Sequence, residues 1–107
     1  MGVSRTDLFT ESQNELARVA KVLAHPARVA ILQYISSQDA CICSDLVAET
    51  GLAQATISQH LSEIKKIGLL RGNFQGKNLC YCIDKDRWEA LRADFDGFFR
   101  RIGAQCC

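Results

Sequence analysis

No stretch of this 107-residue chain approaches the ~20 consecutive apolar residues that a membrane helix needs. The first ten residues lack the apolar segment of an export signal, so the cytoplasm is the expected compartment and no membrane partner is expected. Histidine is scarce: only His25 and His60 are present, and no set of nucleophile, base and orienting group can be assembled around either. A glycine-rich phosphate loop is also missing. These absences argue against an enzyme. The net charge of +1 argues against a general polyanion binder. No internal repeat, low-complexity tract or linker interrupts the chain, which reads as one domain over 1–107, with 1–10 and 104–107 flexible. Its 48% hydrophobic content suffices for a modest core.

What is present centres on residues 51–70. Ile57, Leu61 and Ile64 are spaced as the buried stripe of an amphipathic helix. Its other face carries Gln54, Thr56, Ser58, Gln59, His60 and Lys65, donors and acceptors suited to base edges and phosphates. Gly51 precedes the helix and Gly68 follows it, and a short helix over 44–49 comes before the turn. Two short helices joined by a glycine-containing turn read as a helix-turn-helix, although an ordinary surface helix also has one polar face. The sequel favours the first reading. Leu69–Phe74 and Asn78–Ile83 read as strands around Gln75-Gly76-Lys77, a hairpin with a basic tip. The predicted fold is mainly α with a small β-hairpin: a winged helix-turn-helix of about five helices plus the wing. Charge follows this plan, because residues 53–82 hold Lys65, Lys66, Arg71 and Lys77 against Glu63 alone. That excess lies where a duplex would.

The flanking segments are helical too. Glu11–Ala24 carries Leu16, Val19, Ala20 and Leu23 on one face, and Thr10 with Gln13 resembles a capping box. Pro26 is placed to start a helix running to Ser36, apolar almost all round and so expected to be central. Asp84 or Asp86 caps a last helix bearing Trp88, Leu91, Phe95, Phe98, Phe99 and Ile102. So broad a stripe exceeds what one small core needs, which predicts a homodimer through the first and last helices.

Six cysteines form three close pairs: Cys41/Cys43, Cys80/Cys82 and Cys106/Cys107. Cysteines at i and i+2 on a strand share a face. If Cys41–Cys43 is a short strand beside the second wing strand, Ile42, Tyr81 and Ile83 face the core, and four thiols gather on the other side. Reduced thiols in that arrangement suit a thiophilic ion. Zn²⁺ takes four ligands, Cu(I) favours soft donors, and trivalent arsenic or antimony needs three. Three alternatives remain open: buried cysteines acting as small hydrophobes, a thiol redox or persulfide sensor, and a structural zinc that staples the wing.

The segments Ala24–Leu32, Cys41–Leu46, Leu52–Leu61, Gly68–Leu70 and Cys80–Ile83 together resemble the ArsR/SmtB family of metal- and metalloid-responsive repressors over roughly residues 14–100. The resemblance implies a winged-helix homodimer on double-stranded operator DNA, an imperfect palindrome, released when an inducer binds and resistance genes are transcribed. It implies that Gln54, Thr56, Ser58 and His60 face the DNA, assisted by the 71–78 wing with Arg71 and Lys77. Arsenic-type members often carry Cys-x-Cys-Asp-Leu-Cys. Here Cys41 and Cys43 fall one residue early and the third position is Val47. Any site must therefore be completed by Cys80, Cys82, Cys106 or Cys107. Zinc-type members use histidine and carboxylates on the last helix, which offers Asp94 and Asp96 but no histidine. The expected inducer is As(III) or Sb(III), with Cd, Pb, Cu(I) or Zn as alternatives and no organic cofactor.

Overall fold

The computed structural model describes residues 6–43, 46–76 and 78–105. A 3-10 turn over Thr6–Leu8 leads into α1 (Glu11–Val22), α2 (Pro26–Ser36), α3 (Leu46–Thr50), α4 (Gln54–Lys66), β1 (Leu70–Gln75), β2 (Asn78–Ile83) and α5 (Lys85–Arg100). The capping box forms as read: the Thr10 hydroxyl accepts from the Gln13 N–H at 3.0 Å, and the Thr10 N–H donates to the Gln13 side chain at 3.0 Å. Helix α1 ends at Val22, two residues before the predicted end. His25 stands extended before Pro26, as the proline ring requires of its neighbour, and Pro26 opens α2. The short helix of the motif starts later than predicted, at Leu46. Its predicted caps, Ser44 and Asp45, lie outside the described residues.

Strands β1 and β2 pair antiparallel from Leu70↔Ile83 to Gln75↔Asn78. On the other edge of β2, Ile42 exchanges both backbone hydrogen bonds with Tyr81, at 3.0 and 2.7 Å. The segment around Ile42 thus acts as a one-residue third strand, and β2 is the middle of the sheet. Ile57, Leu61 and Ile64 of α4 are buried with Val19, Ile31, Leu32, Ile35, Ile42, Leu46, Ile67, Leu69, Leu70 and Leu91 in one core. Each such side chain contributes on the order of 1.5–3 kcal/mol by leaving water.

Three expectations are met in part. Helix α2 is central, packing against α3, α4 and β2, but one face stays at the surface, where Val29 is 40% exposed. The aromatic stripe on α5 divides in two. Leu91 is buried and Trp88 and Phe95 pack on the core, whereas Phe98, Phe99 and Ile102 are 59%, 73% and 74% exposed. The first turns of α5 close the monomer and the last turns project beyond it. The thiols, finally, gather on one face of the sheet as two pairs but are not equally open. Cys80 is completely buried, Cys41 and Cys82 are half-buried, and Cys43 is exposed.

Candidate DNA interface and cysteine clasp

Helix α4 presents a polar face as a consequence of burying the other. With Ile57, Leu61 and Ile64 inward, Gln54, Thr56, Ser58, Gln59 and Lys65 are exposed. The Gln54 amide donates to the Ser58 hydroxyl at 3.3 Å, one turn along the helix. The Lys65 ammonium extends over the wing, 3.5 Å from where a Cβ on Gly72 would lie. Arg71 on β1 is exposed and donates to Asp84 at 3.1 Å. Arg71 holds the Asp84 carboxyl below its usual pKa, helped by the Arg87 N–H that Asp84 accepts as the cap of α5. An ion pair this exposed contributes little to stability. Lys77 lies outside the described residues.

His60 departs from this exposed polar face. Its Nδ1 accepts from Arg28 Nε at 3.0 Å, and its ring stands 5.6 Å from that of His25. It is half-buried against the start of α2, not turned outward with its neighbours, because its place on α4 borders the buried stripe. Burial holds its pKa below the usual histidine value, and the Arg28 and His25 charges add to the shift. A neutral ring is what an arginine donor at Nδ1 requires. Arg28 also donates to the Val22 carbonyl at 3.2 Å, tying α1, α2 and α4 together.

Neither Arg28 nor Arg87 was singled out from the sequence. Arg87 Nε donates to the Ile67 carbonyl at 2.8 Å, and Arg87 Nη2 pairs with Glu15 at 2.6 Å, joining α5 to the end of α4 and to α1. Both arginines sit at the third residue of a helix, where the helix dipole disfavours a cation. That misplacement was the available signal of a tertiary role.

The cysteines meet pairwise across the sheet. Cys41 is disulfide-bonded to Cys82 and Cys43 to Cys80, with Cα separations of 4.5 and 4.0 Å. The two pairs flank the hydrogen-bonded Ile42–Tyr81 pair, so they occupy the non-hydrogen-bonded positions where opposed side chains come closest. The four sequence candidates are therefore neighbours, but as two pairs. Among the described residues no group of three or more His, Cys, Asp or Glu side chains is placed to hold a metal ion. Cys106 and Cys107 lie outside the described residues.

A cavity of about 130 Å³ connects the two sites. Cys43 and Leu79 line it from the sheet side, and Gln54, Ile57 and Ser58 from α4. A second cavity of about 470 Å³ opens beside Cys41 and Cys82, against Ile35, Ile83 and Trp88.

The profile described as bacterial regulatory protein, arsR family, matches residues 25–71, from the start of α2 to the start of the wing. An HTH-type transcriptional regulator from Methanocaldococcus jannaschii is 30% identical over 76 residues, covering 69% of this chain and 84% of the relative. The chain belongs to the ArsR family of transcriptional regulators. A cadmium resistance transcriptional regulatory protein CadC homolog from Staphylococcus aureus is 28% identical over 89 residues, 82% of this chain and 73% of that protein. Among solved structures, a possible transcriptional regulator for arsenical resistance superposes with a TM-score of 0.66 at 29% identity, covering 77% of this chain and 84% of that one. The ArsR fold accounts for helix-turn-helix and wing together, and makes the chain a DNA-binding regulator, not an enzyme. Among the described residues, no helix is long and apolar enough to cross a membrane.

Proposed function

We propose that this ArsR-family chain is a homodimeric cytoplasmic repressor that binds a palindromic operator through α4 and the wing, and releases it when a trivalent arsenic or antimony species binds its cysteine thiolates. The observation that carries this reading is the shared 130 Å³ cavity, in which Cys43 and the DNA-facing Gln54 and Ser58 are wall-to-wall neighbours. Drawing Cys43 and Cys80 onto a metalloid moves the segment that leads into α3 and repacks the inner side of α4. A coupling of ~1–3 kcal/mol between the sites lowers operator affinity roughly 5- to 150-fold. The names of two similar proteins, for cadmium resistance and arsenical resistance, support an inducer of this chemical type. Dimerisation through α1 and α5 is supported by Leu8, Phe9, Phe98, Phe99 and Ile102, which a single chain leaves exposed.

Operator binding of the reduced protein, followed by fluorescence anisotropy at fixed salt, tests the reading. Micromolar As(III) or Sb(III) is expected to release the DNA, with Cd(II), Pb(II), Cu(I) and Zn(II) as comparison ions. Unchanged release by As(III) in a Cys41→Ser/Cys43→Ser variant would sink the proposal. A second reading, thiol oxidation as the signal, is favoured by the pairing of Cys41 with Cys82 and Cys43 with Cys80. It predicts release by oxidant or persulfide in metal-free protein, reversed by reductant.

A further inference from the structure

We propose that the Cys41–Cys82 pair and the cavity beside it form a site for a monosubstituted trivalent arsenical, the two thiolates holding the arsenic and the cavity holding its organic group. The proposal rests on the reading above that these cysteines take a trivalent metalloid. Inorganic As(III) can take three sulfurs, and held by two it keeps a hydroxyl as its third ligand. The described residues offer sulfurs in twos, and no cluster of three or more ligating side chains is assembled. An arsenic atom that already carries one carbon substituent needs two sulfurs, and Cys41 and Cys82 stand opposite each other with Cα atoms 4.5 Å apart.

The surroundings of the two pairs differ in the way this assignment requires. Cys80 is completely buried, and the cavity at Cys43 holds about 130 Å³. Cys41 and Cys82 are both partly open, and the cavity they border holds about 470 Å³. A dry cavity of ~150 Å³ is enough to hold benzene. Ile35, Ile83 and Trp88 supply an apolar wall, and Lys85 and Glu89 stand at the same cavity. Trp88 offers an aromatic face to an aryl substituent at offset-stacking or edge-on range. Binding is a condensation: R–As(OH)₂ reacts with the two thiols, two As–S bonds form, and two As–O bonds break. Each thiol proton leaves with a hydroxyl as water. Arsenic stays trivalent and no electron moves. The pair must first be reduced, which a thiol or phosphine reductant does.

Trp88 is the single tryptophan of the chain, so its fluorescence reports on this cavity directly. The full chain, reduced with a phosphine, is titrated with phenylarsine oxide and, in competition, with arsenite. Phenylarsine oxide is expected to change Trp88 emission, saturating at one equivalent per chain, and to bind at least about tenfold tighter than arsenite. Cys82→Ser removes this response and Cys43→Ser keeps it. Ala40→Phe, at an exposed position on the cavity wall, weakens phenylarsine oxide at least about tenfold and leaves arsenite unchanged. Equal affinity for the two probes overturns the proposal, as does indifference to Ala40→Phe, while arsenite-driven operator release would leave the broader metalloid reading standing. Failure of both probes to bind the reduced chain overturns the two together.

Discussion

Replacing Gly68 by alanine is expected to destabilise the protein by about 2–3 kcal/mol, while the same change at Gly51 costs about 1 kcal/mol. Both glycines end a helix with positive φ, +85° at Gly68 and +73° at Gly51. An L side chain in that conformation costs roughly 1–2 kcal/mol. The surroundings separate them. A Cβ on Gly51 meets nothing within 4 Å, but on Gly68 it lies 3.2 Å from both Cγ and Nε of Arg87. Arg87 must then give way, and it is the side chain that donates to the Ile67 carbonyl at 2.8 Å and to Glu15 at 2.6 Å. Losing the carbonyl bond costs ~0.5–1.5 kcal/mol, and the partly exposed pair with Glu15 adds ~0–1 kcal/mol. The assay is urea unfolding at one fixed protein concentration, since self-association makes apparent stability concentration-dependent. In a thermal scan the excess at Gly68 corresponds to ~4–8 °C per kcal/mol. In an Arg87→Ala background the two glycine substitutions should cost the same. Equal losses in the native background would refute the reasoning, because they would mean that Arg87 does not clamp the end of α4.

The other predictions concern the interface, the histidine and the dimer. Gln59→Ala should weaken operator binding by about 1–3 kcal/mol with unfolding unchanged, and Lys65→Ala should lower the salt dependence by about one phosphate contact; anisotropy titrations over a salt series measure both. His60 has a folded pKa below its unfolded value, so its contribution to stability is fully present above the ordinary histidine pKa and is lost as pH falls through the folded value. Urea unfolding between pH 8 and 5 should show that loss in the native chain and a flatter profile in His60→Gln. Phe99→Lys should shift sedimentation toward monomer at unchanged helix content, since Phe99 is 73% exposed in the single chain; an unchanged dimer would place the interface elsewhere.

Much of the fold was legible because it is written in short-range pattern. The spacing of Ile57, Leu61 and Ile64 set which face of α4 is buried, and all three are in the core. Thr10 with Gln13, Pro26 and Asp84 act locally through caps and a fixed φ, and each stands where its chemistry placed it. Strand bounds came within one residue because the turn around Gly76 sets the register. Helix α5 was less legible. Its stripe is continuous in sequence, and no spacing rule says that Leu91 meets the core while Phe98 and Phe99 pass beyond its edge.

The sequence by itself determined the order of elements, the buried stripe of α4 and the shared face of cysteines at i and i+2, since all of these follow from backbone periodicity and local capping. Only the tertiary structure decided what those elements do to one another. It turned His60 from the exposed polar face of α4 to Arg28 and made Arg87 the tie between three helices. It divided four cysteines into a buried and exposed pair beside α4 and a half-open pair beside Trp88. The physical reason is that burial and partner choice depend on which surfaces close over a side chain. Those surfaces come from segments distant in sequence, as with Ile42 and Tyr81, whose pairing puts β2 in the middle of the sheet.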